Sequence, residues 1–189
     1  MIKYVAFLRG INVGGKKLIK MKELARIFEL LGSKNVRTYI QSGNVIFDSS
    51  EINRDVLARK IEKKILKAFG HEVAVVLQTI DELKEILRRN PFKKIKPGDD
   101  VIMFVTFLAA EPGGKPKLPL QSMTESLEVL GIRDRAAFIL CHRKKNGSFA
   151  FPNNFFEKEF GVPATTRNWT TVRKIAALPK SEQSAEMKP

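Results

Sequence analysis

Two strand-like runs separated by only two residues constrain this chain more than any other feature. Residues 36–41 (Val-Arg-Thr-Tyr-Ile-Gln) and 44–47 (Asn-Val-Ile-Phe) are rich in β-branched and aromatic side chains, and Ser42-Gly43 alone joins them. A connection that short forces a tight antiparallel hairpin. The flanking elements follow from periodicity. Residues 2–8 are nearly all apolar and read as a buried strand, whereas Met21, Leu24, Ile27, Phe28 and Leu31 recur at helical spacing up to Gly32. Leu57, Ile61, Ile65, Leu66 and Phe69 predict a second helix closing near Gly70, and residues 73–77 a further strand. The order β-α-β-β-α-β is the ferredoxin-like arrangement, with helices on one face of an antiparallel sheet.

Thr79 and Glu82 have the spacing of a capping box for a helix that stops at Asn90-Pro91. Residues 101–108 form the most apolar run, too uniform for a half-exposed strand, so a central strand is expected there. Residues 109–121 hold Pro112, Gly113, Gly114, Pro116 and Pro119 and read as a loop. A short helix is expected at 124–130. A second hairpin should pair 136–141 with 147–151 around Lys145-Asn146-Gly147. A helix near 154–160 and a last one carrying Trp169, Val172, Ile175, Ala176 and Leu178 complete the chain. The expected fold class is α+β, two related ferredoxin-like βαββαβ-type halves with antiparallel sheets at 1–90 and 91–178, followed by a polar, frayed tail at 179–189.

Charge bears on partners. The 189 residues carry a formal net charge of +14, and the first 95 hold 20 basic against 10 acidic side chains. A field concentrated in the N-terminal half attracts nucleic acid, anionic metabolites or acidic proteins. Solubility alone, or a Lys-rich protein from a hot habitat, accounts for the same charge. No apolar run approaches a membrane span, and Arg9 breaks the N-terminal run, which lacks a signal-peptide layout. A single cysteine, Cys141, agrees with a reducing compartment, and a cytoplasmic protein is expected.

The candidate site begins at Arg9-Gly10-Ile11-Asn12-Val13-Gly14-Gly15-Lys16-Lys17. Glycines between a strand and a helix leave backbone N–H groups free to face a ligand, and the flanking cations favour an anion. Gly10-x4-Gly15-Lys16 nearly completes a P-loop, but Lys17 stands where a Ser or Thr should hold Mg²⁺, so a nucleotide-hydrolysing loop is set aside. The first and second strands run the same way, which puts Gln41, Ser42 and Asn44 at the sheet edge that bears the glycine loop. Thr165-Thr166-Arg167-Asn168 is read as the start of the last helix, with a hydroxyl cap and an arginine in its first turn. The expectation is one anion site, straddling both halves, built from these three segments. Each residue also has a plain reading as a turn former or helix cap.

Catalytic signatures are sparse. Cys141 and His142 are adjacent on an expected strand and point to opposite faces, and His71 has no evident partner. No metal spacing occurs among the carboxylates, so neither a metal nor a cofactor is expected. Arg143-Lys144-Lys145 reads as a solvated charged hairpin.

Arg-Gly-Ile-Asn-Val-Gly-Gly at 9–15, Thr-Tyr-Ile-Gln-Ser-Gly-Asn-Val at 38–45 and Thr-Thr-Arg-Asn-Trp at 165–169 resemble the bacterial family catalogued as domain of unknown function 1697. The resemblance implies an α+β fold of two related halves and carries no catalytic residues. Three functions therefore stay open. The first is binding of a phosphate-bearing partner, nucleic acid foremost, by the basic edge at Arg9, Lys16, Lys17, Lys20, Lys22 and Arg37, with Tyr4, Tyr39 and Phe47 as the aromatics available for base stacking. The second is an enzyme or sensor for a small anionic or phosphorylated metabolite, favoured if the polar residues enclose a pocket. The third is a structural or oligomerisation role for the motifs. Composition leaves stoichiometry open.

Overall fold

A computed structural model describes residues 1–96, 98–113, 118–123 and 126–178. The N-terminal half runs β1 (Ile2–Leu8), α1 (Met21–Leu30), β2 (Lys34–Tyr39), β3 (Asn44–Ser49), α2 (Arg54–Phe69), β4 (Val75–Thr79) and α3 (Ile80–Arg89). The C-terminal half runs β5 (Val101–Leu108), β6 (Leu120–Ser122), β7 (Leu127–Arg133), β8 (Ala136–His142), α4 (Asn153–Phe160), β9 (Ala164–Asn168) and α5 (Trp169–Ala176). Two antiparallel sheets result, ordered β2-β3-β1-β4 and β6-β7-β8-β5-β9.

Period-two alternation sorts each strand between two cores. Tyr4, Ala6 and Leu8 of β1 pack with Leu24 and Phe28 of α1 and Ile61 and Ile65 of α2. Val5 and Phe7 point the other way, into a middle core shared with Leu83 of α3, Phe107 of β5 and Val172 of α5. A third core lies on the far face of the second sheet, where Phe104, Leu108 and Ile139 meet Phe156 of α4. Both sheets are thus covered on two faces, which explains the uniform apolarity of β1 and β5. The halves touch sheet to sheet at Phe7 and Phe107, whose rings stack with centroids 4.2 Å apart and planes within 6°. Such a pair adds about 0.5–1.5 kcal/mol beyond the area it buries.

Helix ends follow local chemistry. Asn53 caps α2 by accepting from Asp55 N and Val56 N, and Gly70 ends it at φ +70°. The Thr79–Glu82 capping box starts α3.

Several expectations are corrected. The β2–β3 hairpin turns through residues 40–43, since the last pair is Tyr39 with Asn44. Residues 127–130 belong to β7, not to a helix; Leu127 and Val129 point into the third core with the alternation of a strand. Thr124 and Glu125, and the tail at 179–189, lie outside the described residues. β8 pairs with β7 and β5, so no hairpin joins it to 147–151. In the second half, the strand β6 occupies the sequence interval where a βαββαβ unit has its first helix. The tract 165–168 is the end of β9, bonded along β5, and the last helix begins only at Trp169, capped by Asn168. Tyr4 and Phe47 are buried beneath α1 and α2, so neither is available to stack a base.

Candidate functional site

The glycine loop leaves the end of β1 and folds back on itself. Asn12 N donates to Lys17 O at 3.2 Å and Lys16 N to Val13 O at 3.1 Å, a two-residue turn whose tip, Gly14 and Gly15, has φ of +58° and +72°. The glycines therefore serve a primed hairpin turn, which needs positive φ at both positions. Helix α1 starts at Met21, beyond Leu18, Ile19 and the extended Lys20, so the expected cradle of glycine loop and helix N-terminus does not form. Asn12 fastens this excursion: its Oδ1 accepts from Ile19 N at 2.8 Å, and its Nδ2 donates to Ile19 O and to Gln41 O at 2.9 Å. Lys17 donates to Glu72 O, and Lys16 is exposed.

Where β1 ends, the hairpin turn closes over it. Leu8 N donates to Gly43 O at 2.8 Å, and Gly43 at φ +75° leaves no room for a side chain beside Leu8 and Ile11. Against this junction sits β9. Its alternation sends Thr166 towards the third core, where its hydroxyl donates to Asn153 Oδ1 at 2.7 Å and so accepts from Thr106, also at 2.7 Å. Thr165 and Arg167 point towards β1.

Arg167 is buried, and all five of its N–H groups are engaged. Nε donates to Asn44 Oδ1 at 2.5 Å. Nη1 donates to Thr165 Oγ1 at 2.8 Å and Thr166 O at 2.9 Å. Nη2 donates to Leu8 O and Ser42 O, both at 2.9 Å, and to Gly43 O at 3.3 Å. Its guanidinium carbon lies 5.4 Å from the Phe7 ring centroid. No carboxylate pairs with it among the described residues. Burial lowers its pKa to about 10.

Arg9 ties the halves at a second point, where its Nη2 pairs with Glu157 Oε2 while Glu157 Oε1 accepts from Ala164 N at 3.1 Å. Its Nε is buried without a hydrogen-bond partner among the described residues.

Between these fasteners lies a cleft of about 510 Å³. Of the expected site residues, Arg9, Gly10, Ser42, Thr165, Thr166, Arg167 and Asn168 line it. Gln41 and Asn44 hold the turn from behind, while Asn12, Gly14, Gly15, Lys16 and Lys17 lie outside the lining. The cleft also takes Ile11 and Val13 of the glycine-loop stretch, together with Leu8, Phe104, Phe151, Asn153, Asn154 and Thr171, which sequence reasoning missed. The adjacent amides Asn153-Asn154 beside Pro152 were the available signal. Val13 and Phe151 are exposed at its mouth. Among the described residues no group of three or more His, Cys, Asp or Glu is placed to hold a metal, and no helix is long and apolar enough to cross a membrane.

Comparison with known proteins agrees with the architecture. The model of a family described as a protein of unknown function (DUF1697) matches residues 1–138. Among solved structures, a conserved bacterial protein from Streptococcus pneumoniae superposes with a TM-score of 0.61 and 23% identity, covering 93% of this chain and 97% of that one. At that identity the likeness is one of fold. No curated protein matches the chain.

Proposed function

The chain belongs to the DUF1697 family, whose description names no activity, and from its own geometry we propose that it binds a small metabolite, as enzyme or sensor, in the cleft between its two sheets. One observation carries the reading: a concave space of about 510 Å³, within the range of small-ligand sites, lined by two internally bonded arginines, neutral polar groups and apolar side chains from both halves. A polyanion would need free cations along this edge. The cations that line the cleft are instead committed within the protein, Arg9 to Glu157 and Arg167 to protein acceptors, while Lys16, exposed on the glycine loop, lies outside the lining. The two arginines thus hold the cleft in shape, so the structural reading of the motifs is part of this one. A thermal-shift screen of metabolites on the wild type and on Phe151→Ala tests it. Ligands that raise the wild-type melting temperature and lose their effect in the variant support the proposal. A flat result across the screen counts against it.

We also read both halves as ferredoxin-like, in a cytoplasmic protein. The orders β2-β3-β1-β4 and β7-β8-β5-β9 are the same permutation, with β6 added at the second sheet's edge, and that symmetry supports the reading. Nucleic acid remains a second reading, moved to another face. Exposed Lys22 and Arg26 of α1 and Arg59, Lys63 and Lys67 of α2 have no carboxylate within ion-pair distance among the described residues, and the net charge is +14. Fluorescence anisotropy with short RNA and DNA at two salt concentrations tests this. Binding that weakens with salt and is lost on reversing those α2 charges supports it, and no binding at low salt removes it.

A further inference from the structure

We propose that the guest of the cleft is a singly charged anion on a planar apolar body, in chemical class an aromatic carboxylate, with its negative end beside Arg167 and its ring against Phe104 and Phe151. The inference rests on the metabolite reading above and names its ligand class. Its first support is an unanswered charge. Arg9 has Glu157, but Arg167, also in the cleft wall, has only neutral oxygens around it. Those oxygens satisfy its hydrogen bonds and fix its orientation without cancelling its charge. Buried charges are ordinarily paired, and an anion in the cleft completes the pair through space without displacing any of those bonds. The lowered pKa agrees, since burial is its cause and no carboxylate among the described residues opposes it.

The neutral donors of the wall suit a carboxylate. Asn153 has its Oδ1 committed to the Thr166 hydroxyl and Asn168 has its Oδ1 committed to Thr170 N, so each keeps an Nδ2 amide for a guest. One uncompensated cation answers one negative charge, which separates a carboxylate from a phosphate dianion. The apolar part follows from the mouth. Phe151 is 60% exposed and meets Phe104 edge to face at 6.0 Å, while Val13 across the opening is 63% exposed. Exposed aromatic and branched side chains rimming a concave polar wall are what a flat apolar body covers.

The test titrates the full chain, followed by NMR shifts of cleft residues, with benzoate, benzamide, benzylammonium, phenyl phosphate and acetate, on the wild type and on Phe151→Ala. Benzoate should bind at least about tenfold more tightly than benzamide, with benzylammonium undetected and phenyl phosphate no tighter than benzoate. Phe151→Ala should weaken benzoate by about threefold or more and leave acetate unchanged. Benzamide equal to benzoate refutes the charge assignment while the metabolite reading stands. Phenyl phosphate tighter by tenfold refutes the single charge, and acetate equal to benzoate refutes the apolar body. A cleft silent to all the probes overturns this inference, while the metabolite reading falls only if the thermal-shift screen is flat as well.

Discussion

Replacing Arg167 by methionine removes five donors while keeping an unbranched side chain in the same space. Thr166 O and Asn44 Oδ1, both within buried residues, then lose the guanidinium, Leu8 O keeps only a long bond from Thr165 Oγ1 at 3.4 Å, and Ser42 O lies at the cleft and can turn to water. A buried acceptor stripped of its partner costs about 1–3 kcal/mol. Two of them and the weakened third, offset by relaxation and by the loss of a desolvated charge, give a net destabilisation of about 3–5 kcal/mol. For a chain this size that lowers the melting temperature by about 6–20 °C. Arg167→Lys keeps the charge but concentrates its donors at one point and should lose roughly half as much. Urea denaturation and thermal melts measure both, with Arg173→Met on the exposed side of α5 as the control. If Arg167→Met stays within about 1 kcal/mol of the wild type, the guanidinium does not fasten β9 to the β1 end and the β2–β3 turn, and its six hydrogen bonds are incidental to stability.

Other consequences follow from the same geometry. At Gly43 an added Cβ meets Leu8 Cβ at 2.8 Å and Ile11 side-chain carbons at 2.9 Å, so Gly43→Ala should cost about 3 kcal/mol or more, against about 1 kcal/mol for Gly14→Ala, whose positive φ lies in open space; equal costs in urea melts would contradict the packing described. The Arg9–Glu157 pair is about 70% buried on each side and joins the halves, and a double-mutant cycle with alanines should give a coupling of about 0.5–1 kcal/mol that shrinks in high salt; zero coupling would make it incidental. Burial raises the Glu62 carboxyl above its ordinary 4.5 while its Oε1 accepts from Val75 N. A raised carboxyl holds more protons folded than unfolded, so its contribution to stability declines as pH rises from its ordinary 4.5 through the raised value. Glu62→Gln keeps the acceptor and removes the penalty, and should melt higher than the wild type at about pH 7 with the gain vanishing near about pH 3.5; a gain that grows on acidification would reverse the sign.

Much of the fold was legible because its causes are local. The apolar run of β1, the helical stripes of α1 and α2, the Thr79–Glu82 box and Gly70 all act within a few residues, and each element they predicted is present. β5 could be read as central because a strand covered on both faces must be apolar throughout. The second half was harder, since its short segments satisfy more than one local rule. Thr165 and Thr166 are good helix caps and good strand residues alike, and only pairing with β5, some sixty positions earlier, makes them β9. Residues 127–130 likewise became strand because β8 was there to pair with them.

The site divides the same way. Of the three segments expected to converge, the Ser42 turn and the 165–168 tract meet at the end of β1, where Arg167 touches Ser42 and Leu8, whereas Gly14, Gly15 and Lys16 of the glycine loop lie outside the cleft. The meaning of that arginine was set by the tertiary structure. Four of the six oxygens around it, those of Leu8, Ser42, Gly43 and Thr166, are main-chain carbonyls, which every residue carries, so no side-chain type announces them. For the same reason the glycines read as a phosphate cradle: a positive φ is written in the composition, but whether the freed N–H groups face a ligand or close a hairpin is decided by where the next helix begins, and here it begins too late. Phe104, Phe151 and Asn153 joined the cleft through contacts between elements that no period or spacing connects.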